Sequence, residues 1–125
     1  MILLVDAHAL LWTLAADSRL GEPARRSIQD PANDVLASAA SIWELEAKRA
    51  AGRLDAPEDI LGILELSNIG TLPVTGADAV AAARLPLHHK NPFDRILIAQ
   101  AQRLDAVVVT RDRAFASYDV NVLTA

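Results

Sequence analysis

The sequence has 125 residues, which suits one compact domain and is short for two of ordinary size. It contains no cysteine, which excludes zinc-ribbon chemistry, thiol catalysis and a disulfide scaffold. Its formal charge of −4, from 12 Lys and Arg against 16 Asp and Glu, argues against a protein that grips nucleic acid mainly through a basic surface.

Hydrophobic residues make up 52% of the chain and aromatics only 4%, so the surplus is aliphatic; disorder is excluded, and little material is left for stacking bases. No apolar run approaches the roughly 18 residues that a membrane span needs. Met1 leads straight into an aliphatic run with no basic segment ahead of it, so the expected product is cytoplasmic, unprocessed and without a membrane partner.

In chain order, short β-branched and aliphatic runs predict strands over 2–5, 35–37, 72–74, 107–110 and 120–123. Helical spacing and punctuation predict helices over 7–15, 23–29, 40–51, 58–66, 77–84, 92–103 and a short one over 113–118. Gly52 is the expected stop for the 40–51 helix, and Pro57 precedes the next. The stretch 85–92, with two prolines and two histidines, reads as a loop. The alternation defines an α/β fold class: one three-layer α/β/α domain over 1–125 with a mostly parallel sheet of about five strands.

Such a sheet binds ligands beyond the carboxyl ends of its strands. Asp6 immediately follows the first strand, and Asp112 lies two residues past the 107–110 strand. Glu44 falls in the first turns of the helix after the second strand, and Asp94 at the start of the helix after the 85–92 loop. Each has a purely structural reading. Asp6 and Asp112 can cap helices, Asp94 fits the third position after an Asn91 cap and Pro92, and Glu44 can pair with Lys48 one turn on. Together, however, four carboxylates at one edge repel one another unless a cation collects them. Oxygen donors without cysteine or a histidine cluster suit Mg²⁺ or Mn²⁺, which can activate a water against a phosphodiester.

His8 reads more readily as a packed or solvated residue than a catalytic one, and the adjacent His88 and His89 lack zinc-ligand spacing, although with Lys90 and Arg95 they could line an RNA path. Lys48, Arg49, Lys90, Arg95, Arg111 and Arg113 lie close in sequence to the acids and are the candidates for phosphate contact. Trp12 and Trp43 are expected to pack, in the core or at a subunit contact. The aliphatic surplus would suit an exposed patch for a second copy or another protein.

Four segments carry a family resemblance: Leu4-Val5-Asp6-Ala7-His8-Ala9-Leu10-Leu11-Trp12, Ser38-Ala39-Ala40-Ser41-Ile42-Trp43-Glu44-Leu45, Asn91-Pro92-Phe93-Asp94-Arg95-Ile96-Leu97-Ile98-Ala99-Gln100-Ala101 and Val109-Thr110-Arg111-Asp112. In order and spacing they resemble the acidic motifs of PIN-domain ribonucleases, in particular the VapC-type toxins of type II toxin–antitoxin pairs, over the length of the chain. The resemblance implies metal-coordinating, catalytic roles for Asp6, Glu44, Asp94 and Asp112, with the Thr110 hydroxyl as a helper. It also implies an Mg²⁺- or Mn²⁺-dependent endoribonuclease acting on RNA, a homodimer, and a cognate antitoxin partner. Ala7 stands where relatives often carry Thr or Ser, and Asn91 where an aspartate is frequent.

Other chemistries lose their anchors. An aspartyl-nucleophile phosphatase wants a second Asp two residues after the first, where His8 stands, and a receiver-like module wants a phosphoacceptor Asp after a middle strand, which Leu72-Pro73-Val74-Thr75-Gly76 lacks. Neither a Gly-x-Gly-x-x-Gly segment nor a P-loop occurs. The non-enzyme alternative is a catalytically silent PIN-like protein-binding module.

Overall fold

The computed structural model describes residues 1–125. The first strand, β1 (Ile2–Val5), is aliphatic throughout and nearly solvent-free, as a strand covered on both faces must be. It pairs in parallel with β2 (Asp34–Ser38) on one side and β4 (Val107–Thr110) on the other. The sheet extends to β3 (Gly70–Leu72) beyond β2 and β5 (Asn121–Thr124) beyond β4, giving the order β3-β2-β1-β4-β5 with every pair parallel.

Because side chains alternate across a strand, Leu3 and Val5 point to one face and Leu4 to the other. The first face is covered by α1 (Ala7–Leu14), α2 (Glu22–Gln29), α3 (Ala39–Ala50) and α4 (Ile60–Leu66), which contribute Leu10, Ala24, Leu45 and Leu64 among others. The second is covered by α6 (Pro92–Leu104) and the 3₁₀ turn Arg113–Ser117, through Leu97, Ile98, Ala101 and Phe115. A further helix, α5 (Gly76–Arg84), packs on α6. The expected α/β/α layering is therefore present.

Most boundaries differ from the sequence reading by a residue, and three larger differences stand out. The third strand lies over Gly70–Leu72 rather than 72–74: its ladder with β2 ends at the Ser38–Leu72 pair, and Pro73 has no N–H to extend it. The fourth helix starts at Ile60 because the Asp59 carboxylate caps it, accepting the Gly62 N–H at 3.1 Å. The last short helix is a 3₁₀ turn. At the end of α3, Gly52 takes a left-handed φ of 70°, the conformation its lack of Cβ permits, and so ends the helix where expected.

The α5–α6 pair is locked by an ion pair between a buried carboxylate and an exposed arginine. Thr75 and Asp78 form a reciprocal capping box at the start of α5, with Asp78 N–H donating to Thr75 Oγ1 at 3.1 Å and Thr75 N–H to Asp78 Oδ2 at 3.0 Å. Arg103 from α6 donates to the same carboxylate through Nε at 2.7 Å and Nη2 at 3.0 Å. These bonds, Arg103 foremost, hold the Asp78 carboxyl down at about 2.

Candidate metal centre

Strand order reverses beside β1, whose neighbours β2 and β4 lie in opposite directions along the chain, so the crevice at the carboxyl ends of β1 and β4 is the topological switch point. Asp6 and Asp112 flank it. Asp6 is buried and caps α1 by accepting the Ala9 N–H at 2.9 Å, while its backbone N–H continues the ladder to Val109 O at 3.1 Å. Thr110 Oγ1 donates to Asp6 Oδ2 at 2.5 Å and accepts the Asp112 N–H at 3.0 Å, so one hydroxyl ties both strand ends together. Asp112 caps the 3₁₀ turn, accepting the Ala114 N–H at 2.9 Å. The capping expectations for Asp6 and Asp112 hold alongside their place at the crevice.

Asp94 enters from α6. Asn91 caps that helix through the Phe93 N–H at 2.9 Å, Pro92 opens it, and Asp94 stands in its first turn. Its side chain does not complete a capping box and faces the crevice instead, 3.0 Å from His89 Nε2. His89 Nε2 is also 2.8 Å from Asp112 Oδ2. The ligand atoms of His89, Asp94 and Asp112 all lie within 4.8 Å of one another. Glu44, buried on α3, accepts a 3.1 Å ion pair from Lys48 and lies outside that tight group, as does Asp6.

The electrostatics nevertheless join all four acids. Burial pushes the Asp94 carboxyl up to about 7, His89 opposes the shift, and the negative charges of Glu44, Asp6 and Asp112 add to it. Asp6 is also raised, by burial first and by Asp112 in part, against the Thr110 and Ala9 hydrogen bonds. This crowding of hard oxygen donors fits a divalent cation of the Mg²⁺ or Mn²⁺ kind, which would supply the charge the carboxylates lack. The fit rests on the donor set and on that upward shift.

Several sequence expectations need correction here. Arg95 cannot meet a phosphate: it is buried, with Nη1 donating to Pro86 O at 3.0 Å and His89 O at 3.1 Å, and Nη2 to Ala82 O at 2.7 Å and Leu85 O at 2.9 Å. It closes the carboxyl end of α5 and pins the following loop. Arg111 donates to Ala125 O at 2.9 Å and to Arg19 O, and lies over Trp12 at 4.6 Å, a tie that organises the chain end. Arg49 is paired with Glu46. Lys90 and Arg113 are exposed and free of ion pairs, and Lys48 reaches the acids through Glu44. Trp43, expected to pack, is 68% exposed; it meets Phe93 edge to face at 5.1 Å and lines an apolar groove of about 410 Å³ with Ala39, Ala40, Val74 and Pro92. Trp43 and Phe93 directly precede Glu44 and Asp94 in sequence, which places the groove beside the acids.

His89 is the site residue that sequence reasoning did not place among the acids. The available signal was its position two residues before the Asn91 cap, in a proline-flanked loop leading to the helix that bears Asp94.

A parallel α/β/α sheet with acids gathered at its switch point defines a class of protein whose chemistry sits beyond the strand ends. The PIN domain family matches residues 3–121, and the chain belongs to that family. Among solved structures it is similar to a chain of VapBC2 from Rickettsia felis bound to a promoter DNA fragment, at a TM-score of 0.72 and 13% identity over 98% of each chain. VapBC from Salmonella typhimurium bound to DNA gives a TM-score of 0.71 and 18% identity over 98% of this chain and 97% of that one. FitAcB from Neisseria gonorrhoeae gives 0.65 and 23% over 99% and 97%. At these identities the likeness is one of fold. No curated protein matches the sequence.

Proposed function

We propose that the chain is one PIN-type nuclease domain acting as an Mg²⁺- or Mn²⁺-dependent endoribonuclease, the VapC-like toxin of a type II toxin–antitoxin pair. The observation that carries the reading is the convergence of Asp6, Glu44, Asp94 and Asp112 at the switch point, with the Asp94 carboxyl driven to about 7 by burial and by its three acidic neighbours. Family membership supports a nuclease role, and the toxin–antitoxin complexes among the structural neighbours support the toxin assignment. When bound, the cation would lower the pKa of a coordinated water and stabilise the charge that develops on the phosphodiester.

The chain's own residues divide the remaining work. Asp6, Glu44, Asp94 and Asp112 would hold the cation, and Thr110 fixes the Asp6 carboxylate and the Asp112 backbone. Lys90 and Arg113 meet RNA phosphates at the rim, and Lys48 offsets Glu44 until substrate arrives. The apolar groove at Trp43 supports an antitoxin or homodimer contact beside the acids. No helix is long and apolar enough to cross a membrane; the proposed site of action on RNA is the cytoplasm.

The test is incubation of the purified protein with structured RNA in Mg²⁺ or Mn²⁺, with and without chelator, beside Asp6→Asn and Asp94→Asn. Cleavage by the wild type alone, and only with metal, is expected. Cleavage that survives chelation or both substitutions contradicts the mechanism. If no RNA is cut while a small DNA-binding partner is bound tightly, the protein-binding module takes its place. Growth arrest on expression without the partner, relieved by Glu44→Gln, tests the toxin role and Glu44 together.

A further inference from the structure

The metal-holding reading leaves His89 unexplained. Its Nε2 sits 2.8 Å from Asp112 Oδ2 and 3.0 Å from Asp94 Oδ2, between two carboxylates that a shared cation would bridge. Its Nδ1 accepts the Asn91 N–H at 3.2 Å, which places the ring hydrogen on Nε2, where it donates to Asp112 Oδ2 with Asp94 Oδ2 close alongside. The ring nitrogen therefore lies between Asp94 and Asp112, two of the carboxylates that would hold the cation.

The loop around His89 is anchored independently of the acids. The His89 N–H donates to Tyr118 Oη at 2.8 Å, Tyr118 donates onward to Pro86 O at 2.6 Å, and His89 O accepts from Arg95 Nη1 at 3.1 Å. The ring meets Phe115 edge to face at 5.9 Å. The loop is thus fixed from α6 and from the end of the 3₁₀ turn, and the ring is delivered to the acids by construction.

We propose that His89 is a displaceable stand-in for the cation: in the metal-free protein its Nε2–H donates to Asp112 while the ring nitrogen stands against Asp94, so that the ring holds the place between the two carboxylates and must give way when metal binds. The inference rests on the metal-holding reading of the site and adds a positioning residue that opposes the metal. The contrary role, a nitrogen ligand, would require the ring hydrogen to move to Nδ1, where it would face the Asn91 N–H and leave that donor without its partner. A stand-in requires no such change.

The two roles predict opposite shifts in metal binding, read by Mn²⁺ titration with electron paramagnetic detection of free Mn²⁺ and by melting temperature in chelator. For His89→Ala the stand-in predicts a lower melting temperature in chelator and Mn²⁺ bound about tenfold more tightly, since one charge-assisted bridge no longer competes. His89→Gln, which keeps an N–H donor, should fall between the alanine variant and the wild type in both measurements. Weaker Mn²⁺ binding by His89→Ala, or binding and melting equal to the wild type, overturns the stand-in while leaving the metal site intact. A wild type that takes up no Mn²⁺ overturns the metal-holding reading and the stand-in with it. Should the alanine variant not fold, imidazole nitrogen resonances of the wild type carry the test: a hydrogen-bonded Nε2–H in chelator that is lost with Mg²⁺ is expected, and an Nε2 that becomes metal-bound contradicts it.

Discussion

Asp78 and Asp94 are both withdrawn from bulk solvent near the starts of adjacent helices, and their carboxyl groups are displaced in opposite directions. Asp78 is met by a bidentate guanidinium and by two bonds from its own capping box, and is held at about 2. Asp94 faces three other acids and one histidine, and rises to about 7. A helix start by itself therefore fixes neither value; what faces the carboxylate does. The first arrangement is complete within the chain and serves packing of α5 on α6. The second is short of positive charge and is the place where a cation has something to do.

The largest effect expected from disturbing this contrast is on catalysis. If the proposed metal centre holds, Asp94→Asn should lower metal-dependent RNA cleavage by at least about 100-fold while the protein stays folded, because the proposal makes Asp94 a cation ligand and not a packing group. Cleavage rates and far-ultraviolet circular dichroism on the same sample decide it, and near-normal cleavage would remove Asp94 from the site.

The complementary change acts on stability. Asp78→Ala removes the capping-box carboxylate and the partner of the exposed Arg103 guanidinium and should cost about 1–2 kcal/mol, a melting point lower by a few degrees, with cleavage per folded molecule unchanged. Urea denaturation measures it, and a loss below about 0.5 kcal/mol would show the clamp to be inert.

The pH responses of the two regions should run in opposite senses. Since the Asp78 carboxyl is lower in the fold than in the unfolded chain, its contribution is whole above about pH 4 and is lost as pH falls toward about 2. Asp94 is higher in the fold, so the folded state holds a proton the unfolded chain has released between about pH 4 and 7, and its contribution declines as pH rises through that window. In chelator at pH 8, Asp94→Asn should accordingly be more stable than the wild type by about 1–2 kcal/mol, and added Mn²⁺ should narrow the difference. A variant less stable than the wild type under those conditions would contradict the crowding. Smallest of all, Glu46→Ala breaks only the solvent-screened pair with Arg49 and should leave the denaturation midpoint indistinguishable from that of the wild type in the same assay.

Most of the fold was legible because β1 and β4 are short β-branched runs and because Asp6, Asp112 and Asn91 are cap residues that the helices then used as caps. The meeting of Asp6 and Asp112, more than a hundred positions apart, followed from their places at the carboxyl ends of strands, while the strand order that makes this a switch point came only with the structure. What composition could not give was which cations are already spent. Arg95 and Arg111 read like phosphate contacts, yet their donors go to backbone carbonyls, an assignment that depends on where α5 and the chain end stop in space. Trp43 looked like packing material on an apolar helix face, but that face has no neighbour across most of the indole. His89 was hidden for the same reason: a loop residue has no periodicity, so only Arg95 and Tyr118, anchoring the loop from afar, deliver it to the acids.

The central claim, that the acid edge is a cation site under charge strain, is tested most directly by calorimetric titration of Mn²⁺ in buffers of different ionisation enthalpy. The wild type should bind Mn²⁺ with release of close to one proton per ion at about pH 6, falling toward none by about pH 8.5, as the raised Asp94 gives up its proton to the metal. Asp94→Asn should bind more weakly and lose this pH dependence. Absence of Mn²⁺ binding by the wild type, or binding and proton release unchanged in Asp94→Asn, would contradict the account.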